Sequence, residues 1–153
     1  MTRSHMAAGV LAVLLVSAGW LAGASAQQPT RRYIDPSTPS PTARPFSGGV
    51  LAGDTFYLSG TLGLDAKQQV PATADAEATN VLDNVQQTLK QAGLTMDDLV
   101  FVQVYCSDVA HYDAFNKIYR TYFTQEFPAR AFIGSGRLLF GARFEVQAIA
   151  VRR

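Results

Sequence analysis

Cysteine is almost absent from this sequence: Cys106 is the one thiol in 153 residues. A lone thiol excludes an internal disulfide framework and a cysteine-rich zinc site. Histidine is nearly as scarce. His5 lies at the very start, so His111 is the only one in the body of the chain, too few ligands with the lone Cys106 to hold a metal ion. An excess of charge of either sign is missing too. Thirteen basic residues meet twelve acidic ones, a net +1, and charged residues make up 16% of the chain. A duplex nucleic-acid binder needs a basic face, and a polybasic membrane anchor needs a basic cluster. The signatures of nucleophile-elbow hydrolases, P-loop enzymes, HExxH metalloproteases and GxGxxG dinucleotide binders do not occur.

Apolar residues, by contrast, make up 48% of the chain. That is too many for wholesale disorder, and the length suits one domain. Residues 1–26 carry the pattern of a secretory signal: Arg3 in a short start, an apolar run over 7–22, then Ala24-Ser25-Ala26. Cleavage before Gln27 is expected, giving a periplasmic or secreted protein. The alternative is an uncleaved anchor, since a spanning helix needs about 20 apolar residues. The small-residue ending favours cleavage, after which nothing would tie the chain to a membrane. Cleavage removes one basic residue and no acidic one, so the net charge falls from +1 to zero. Residues 27–44 hold prolines at 29, 36, 39 and 41 among Ser and Thr. This composition reads as an extended, mobile linker. The folded domain is then 45–153.

Within that domain strand and helix signals alternate. Residues 49–51 and 55–59 flank Ala52-Gly53-Asp54 and read as a hairpin. Residues 60–71 read as a loop. Apolar residues at 74, 78, 81, 82, 85 and 89 predict a helix over 74–92, with Thr73 or Asp75 as cap and Gly93 as stop. Asp75 and Glu77 suit its positive end. The nearly continuous apolar run 99–106 predicts a strand covered on both faces. A second helix starts at Asp108, with Phe115, Ile118, Tyr119 and Tyr122 as its stripe. Strands follow over 130–135 and 143–151. The order ββαβαββ predicts an α+β two-layer domain with both helices on one sheet face. The other face needs a cover, and self-association supplies one.

Two residues stand out for chemistry. Arg130 follows Pro128-Ala129 and opens an apolar strand, where a guanidinium is costly unless it pairs or faces a cleft. Its planar fork suits a carboxylate ligand. The alternative is a structural ion pair with an acid such as Glu145. Glu145 lies between Phe144 and Val146, placed to handle a proton or a water, or else it simply points outward from its strand. Gln147 lies on the same side.

At these residues the sequence resembles the Rid family of reactive-intermediate deaminases, known too as the YjgF family. The matching stretches include Arg44-Pro45-Phe46-Ser47, Phe56-Tyr57-Leu58-Ser59-Gly60, Tyr112-Asp113-Ala114-Phe115-Asn116, Phe127-Pro128-Ala129-Arg130 and Glu145-Val146-Gln147-Ala148-Ile149-Ala150. The resemblance implies a chorismate-mutase-like fold, a homotrimer, and ligand clefts between subunits. It implies hydrolysis of 2-imino or 2-enamino acids to 2-oxo acids and ammonia, with no metal or cofactor. It assigns Arg130 to the substrate carboxylate and Glu145 to the attacking water, with Ser59, Gly60 and Asn116 shaping the cleft. The chain departs from the family pattern at Phe46, where a Tyr is usual, and at Phe132, where a small residue is usual. No proline follows Leu138. Phe46 and Phe132 are therefore expected to line the cleft and favour a bulky or aromatic substrate. A non-catalytic trimer that binds a small carboxylate is the competing reading. Ribonuclease activity is disfavoured by the charge balance, and no nucleic-acid partner is expected.

Overall fold

The computed structural model describes residues 30–35 and 40–153. The expected export signal and part of the expected linker lie outside the described residues. Among the described residues eight strands and α-helices follow one another. They are β1 (Arg31–Ile34), β2 (Gly49–Ala52), β3 (Thr55–Leu62), α1 (Ala74–Ala92), β4 (Leu99–Cys106), α2 (Tyr112–Tyr119), β5 (Ala129–Gly134) and β6 (Phe144–Val151). The strands form one sheet in the order β1-β2-β3-β6-β4-β5. Among the described residues only β4 and β5 run parallel, joined by the α2 crossover that a parallel pair requires. This is the expected α+β two-layer fold with one strand added in front.

That added strand corrects the linker reading of 27–44. Average composition hid four residues with a use. Ile34 is buried against the core. Arg32 donates to the carbonyls of Gln91 and Ala92, at 3.0 and 2.6 Å, filling acceptors that the end of α1 leaves open. The loop expected from residue 60 also begins later, because β3 runs on to Leu62.

Helix α1 begins and ends where its punctuation says. The Thr73 hydroxyl accepts from the Ala76 N–H at 3.2 Å. Gly93 adopts a left-handed φ of 79° that closes the last turn. Ala78, Val81, Leu82, Val85 and Leu89 face the sheet and are fully buried. Each large aliphatic among them contributes roughly 1.5–3 kcal/mol.

The sheet's two faces differ. Val102, Val104, Cys106, Phe144, Val146, Ala148 and Ala150 point toward the helices and are buried. Their neighbours Phe101, Gln103, Tyr105, Glu145, Gln147 and Ile149 point the other way and are only half-buried. The expectation that β4 is covered on both faces therefore fails within a single chain. Helices cover one face, and the second presents apolar and amide side chains to the outside.

Candidate active site

Period-two alternation divides the expected site residues between two places. Arg130 is registered beside Val102, which faces the helices, so Arg130 faces them too. Glu145 is registered beside Tyr105 and Leu62, on the opposite face. The suggested Arg130–Glu145 ion pair does not exist, and one chain does not bring the two groups together.

The Glu145 half is built on a bulge. The β3–β6 register shifts between Leu58 and Thr61, and bulges commonly re-aim side chains. Ser59 is tied down at the bulge: its Oγ donates to the Ser47 carbonyl at 2.7 Å. Gly60 lies under the carboxylate, and a Cβ placed there would stand 2.1 Å from Glu145 Oε1. Any side chain there would have to push the carboxylate tip aside. Phe46 is half exposed at the rim, beside the Arg44 guanidinium. These groups open into a cleft of about 1230 Å³, whose walls include Asn84 of α1, Gln147, Leu139 and Phe140. Asn84 fixes the helix to the strand by donating to the Leu62 carbonyl at 3.0 Å.

The start of β6 is held by a residue whose role the sequence did not disclose. Glu77, read as a helix-end charge, is completely buried. It accepts from the backbone N–H groups of Arg143 and Phe144 at 2.6 and 3.1 Å, and pairs with Arg143 Nη1 at 2.7 Å. A buried carboxylate needs such partners. Its bonds end at Phe144, one residue before Glu145, so this anchor sets where Glu145 stands.

The Arg130 half is a cation in an aromatic frame. Arg130 Nη2 donates to Asn116 Oδ1 at 2.7 Å. The guanidinium lies 4.6 Å from the Tyr119 ring centroid and 5.9 Å from those of Tyr112 and Phe132. Among the described residues no carboxylate lies within ion-pair distance of it. The remaining N–H groups of the fork are available for an anion. Tyr112 and Tyr119, two helical turns apart, were missed as site residues, although their spacing puts them on one face of α2. The Tyr119 hydroxyl is buried without a hydrogen-bond partner. Burial pushes it up to about 12, against the pull of the Arg130 charge.

Phe132 stands in the Arg130 half, beside the guanidinium. It packs edge-on against Tyr112 at 5.0 Å and Phe115 at 5.7 Å. It belongs with Arg130, whereas Phe46 belongs with Glu145. Cys106 is buried, donates its S–H to the Asp108 carbonyl at 2.9 Å, and has its thiol pushed up by burial. It is a core residue with none of the thiolate character a nucleophile needs.

Comparison with known proteins gives the arrangement its context. A goat (Capra hircus) 2-iminobutanoate/2-iminopropanoate deaminase is 37% identical over 124 residues, covering 80% of this chain and 90% of that protein. The structure of the YjgF gene product of E. coli superimposes with a TM-score of 0.68 at 35% identity, covering 71% of this chain and 89% of that one. E. coli TdcF with bound serine matches with a TM-score of 0.69 at 27% identity, over 72% and 90% of the two chains. The family model described as Endoribonuclease L-PSP matches residues 37–152, and the chain therefore belongs to this family, the YjgF/Rid family.

Proposed function

We propose that the chain is a deaminase that hydrolyses 2-imino or 2-enamino acids to 2-oxo acids and ammonia. The site forms between two copies in a homotrimer and uses only the protein's own side chains. The observation that carries the reading is the division of the site. An unpaired guanidinium framed by Asn116 and three rings lies on one sheet face, and a carboxylate over Gly60 lies on the other. Neither half suffices alone. The open sheet face with Tyr57, Phe101 and Tyr105 offers the surface through which copies would join.

The chemistry follows from the parts. An imine carbon is already electrophilic, so catalysis reduces to placement. The Arg130 fork takes the substrate carboxylate, and Asn116 with the rings holds the fork in one orientation. Glu145 accepts a proton from water as its oxygen adds to C2. The nitrogen gains that proton, which leaves a carbinolamine; the carbinol O–H then gives its proton to nitrogen, relayed by Glu145, and ammonia leaves as the C–N bond breaks and the C2 carbonyl forms. The names of the similar deaminases support this reading.

The family description also carries a ribonuclease name. The cleft has Glu145, Asp65 and Asp83 among its lining residues against one basic one, Arg44, which opposes a phosphate backbone. A binding module is the second reading, favoured by the serine seen on TdcF and by the hydroxyl that Phe46 lacks. One experiment separates these readings. The purified protein is fed imines generated in situ from several amino acids, and ammonia and 2-oxo acid are recorded. Release supports the deaminase, binding without release supports the module, and RNA cleavage would support neither. We further propose that the domain acts in the periplasm or outside the cell after removal of residues 1–26. N-terminal sequencing of exported protein, with Gln27 as the expected first residue, tests this.

A further inference from the structure

The connection between β5 and β6 carries two large apolar side chains in open solvent. Leu139 is 68% exposed and Phe140 75%. They sit on a four-residue turn closed by the Ala142 N–H donating to the Leu139 carbonyl at 3.0 Å. Both central residues have positive φ, 57° at Phe140 and 75° at Gly141. That pattern belongs to a type I′ turn, whose first central position is ordinarily Asn, Asp or Gly. A phenylalanine there is strained by its Cβ and gains nothing from burial. Two local rules are broken at once, and such exceptions gather at functional sites.

The position of the pair indicates what they serve. Both line the same cleft as Glu145, Ser59 and Gly60, with Leu62 and Leu64 beside them. At about 1230 Å³ the cleft exceeds the roughly 300–1,000 Å³ typical of small-molecule pockets. Phe132 stands in the other half of the site, beside Arg130, so on the Glu145 side the apolar wall falls to residues of this cleft.

We propose that Leu139 and Phe140 form the side-chain subsite of this cleft and select 2-imino acids bearing a large apolar or aromatic group. The proposal rests on the deaminase reading and names its substrate class. The occupant is the substrate side chain, because the two residues line a concavity that holds the candidate catalytic carboxylate.

The test compares the wild type with Phe140→Asn and Leu139→Ser. First, kcat/KM is measured for imines made in situ from phenylalanine and from alanine. The wild type prefers the phenylalanine-derived imine, and Phe140→Asn lowers that ratio at least about ten-fold. Second, calorimetry compares phenylpyruvate with pyruvate, a readout that needs no turnover. Phe140→Asn weakens the first selectively. Third, Tm rises in Phe140→Asn because Asn relieves the turn; a purely structural Phe140 would lower it. An unchanged ratio and unchanged phenylpyruvate binding overturn the subsite while leaving the deaminase reading intact. Phe140-dependent binding without any turnover overturns the deaminase and supports the subsite. A changed oligomeric mass in Phe140→Asn assigns the pair to a contact between copies and also overturns the proposal.

Discussion

Replacing Gly60 by alanine separates placement from folding. The new Cβ would meet Glu145 Oε1 at 2.1 Å, while the next atoms, Cδ and Cγ, are 3.2 and 3.5 Å away. Only the tip of a flexible side chain obstructs it. Ordinary contact begins at 3.4 Å, so the oxygen must retreat by roughly 1.3 Å, at an off-rotamer cost of about 0.5–1.5 kcal/mol. Gly60 is not among the residues with positive φ, so alanine fits the backbone and returns about 0.4–1 kcal/mol by stiffening the unfolded chain. The two terms nearly cancel, and stability should barely move. Activity should not survive so well, since a displacement of about 1 Å at a reacting group costs on the order of 100-fold. The expected result is a kcat/KM near 1% of wild type, about 2.7 kcal/mol of transition-state stabilisation, with Tm almost unchanged. Steady-state ammonia release and calorimetry measure both. Full activity in Gly60→Ala would refute the placement of Glu145 as the reacting group. A collapse of Tm would refute the claim that only the carboxylate tip is in the way.

Other perturbations probe the scaffold. Glu77→Gln removes the charge from a carboxylate that is fully buried and holds Arg143 and Phe144. Breaking such a pair costs about 3–5 kcal/mol, which urea unfolding should show as a lower midpoint with unchanged slope. Alkaline pH should destabilise the fold through Tyr119, raised by burial from 10.0 to about 12. The folded state keeps this proton longer than the unfolded chain does. The contribution is therefore complete below pH 10 and is lost as pH rises toward 12. Tyr119→Phe should flatten that loss, and by removing an unpartnered hydroxyl should raise stability at neutral pH by about 1 kcal/mol.

What the sequence disclosed is what local rules control. Helix α1 has the bounds that Thr73 and Gly93 punctuate, and Arg130 and Glu145 could be singled out from the apolar strands around them. Strand β1 was hidden because its stability comes from Val50, Leu51 and the carbonyls of α1, all distant in sequence. Glu77 does stand in the first turn of α1, but its burial was hidden for the same reason. An acid in a first helical turn ordinarily faces water, and only Arg143, 66 residues on, makes burial tolerable. That Arg130 and Glu145 lie on opposite faces depends on register across β5, β4 and β6, which alternation within one strand cannot supply. Phe132 and Phe140 show the same limit. A sequence lists the aromatic residues, but the turn geometry and the packing of α2 decide which half of the site each of them joins.

The central claim is that each site takes Arg130 from one copy and Glu145 from another. Two inactive variants, Arg130→Ala and Glu145→Gln, are unfolded together in equal amounts, refolded and assayed for ammonia release. In a closed ring of copies with head-to-tail interfaces, random assembly gives about one site in four with both native groups. The account predicts recovery of about a quarter of wild-type activity from two preparations that are each inactive. A mixture as inactive as its components, with assembly into mixed oligomers verified by mass, would contradict it.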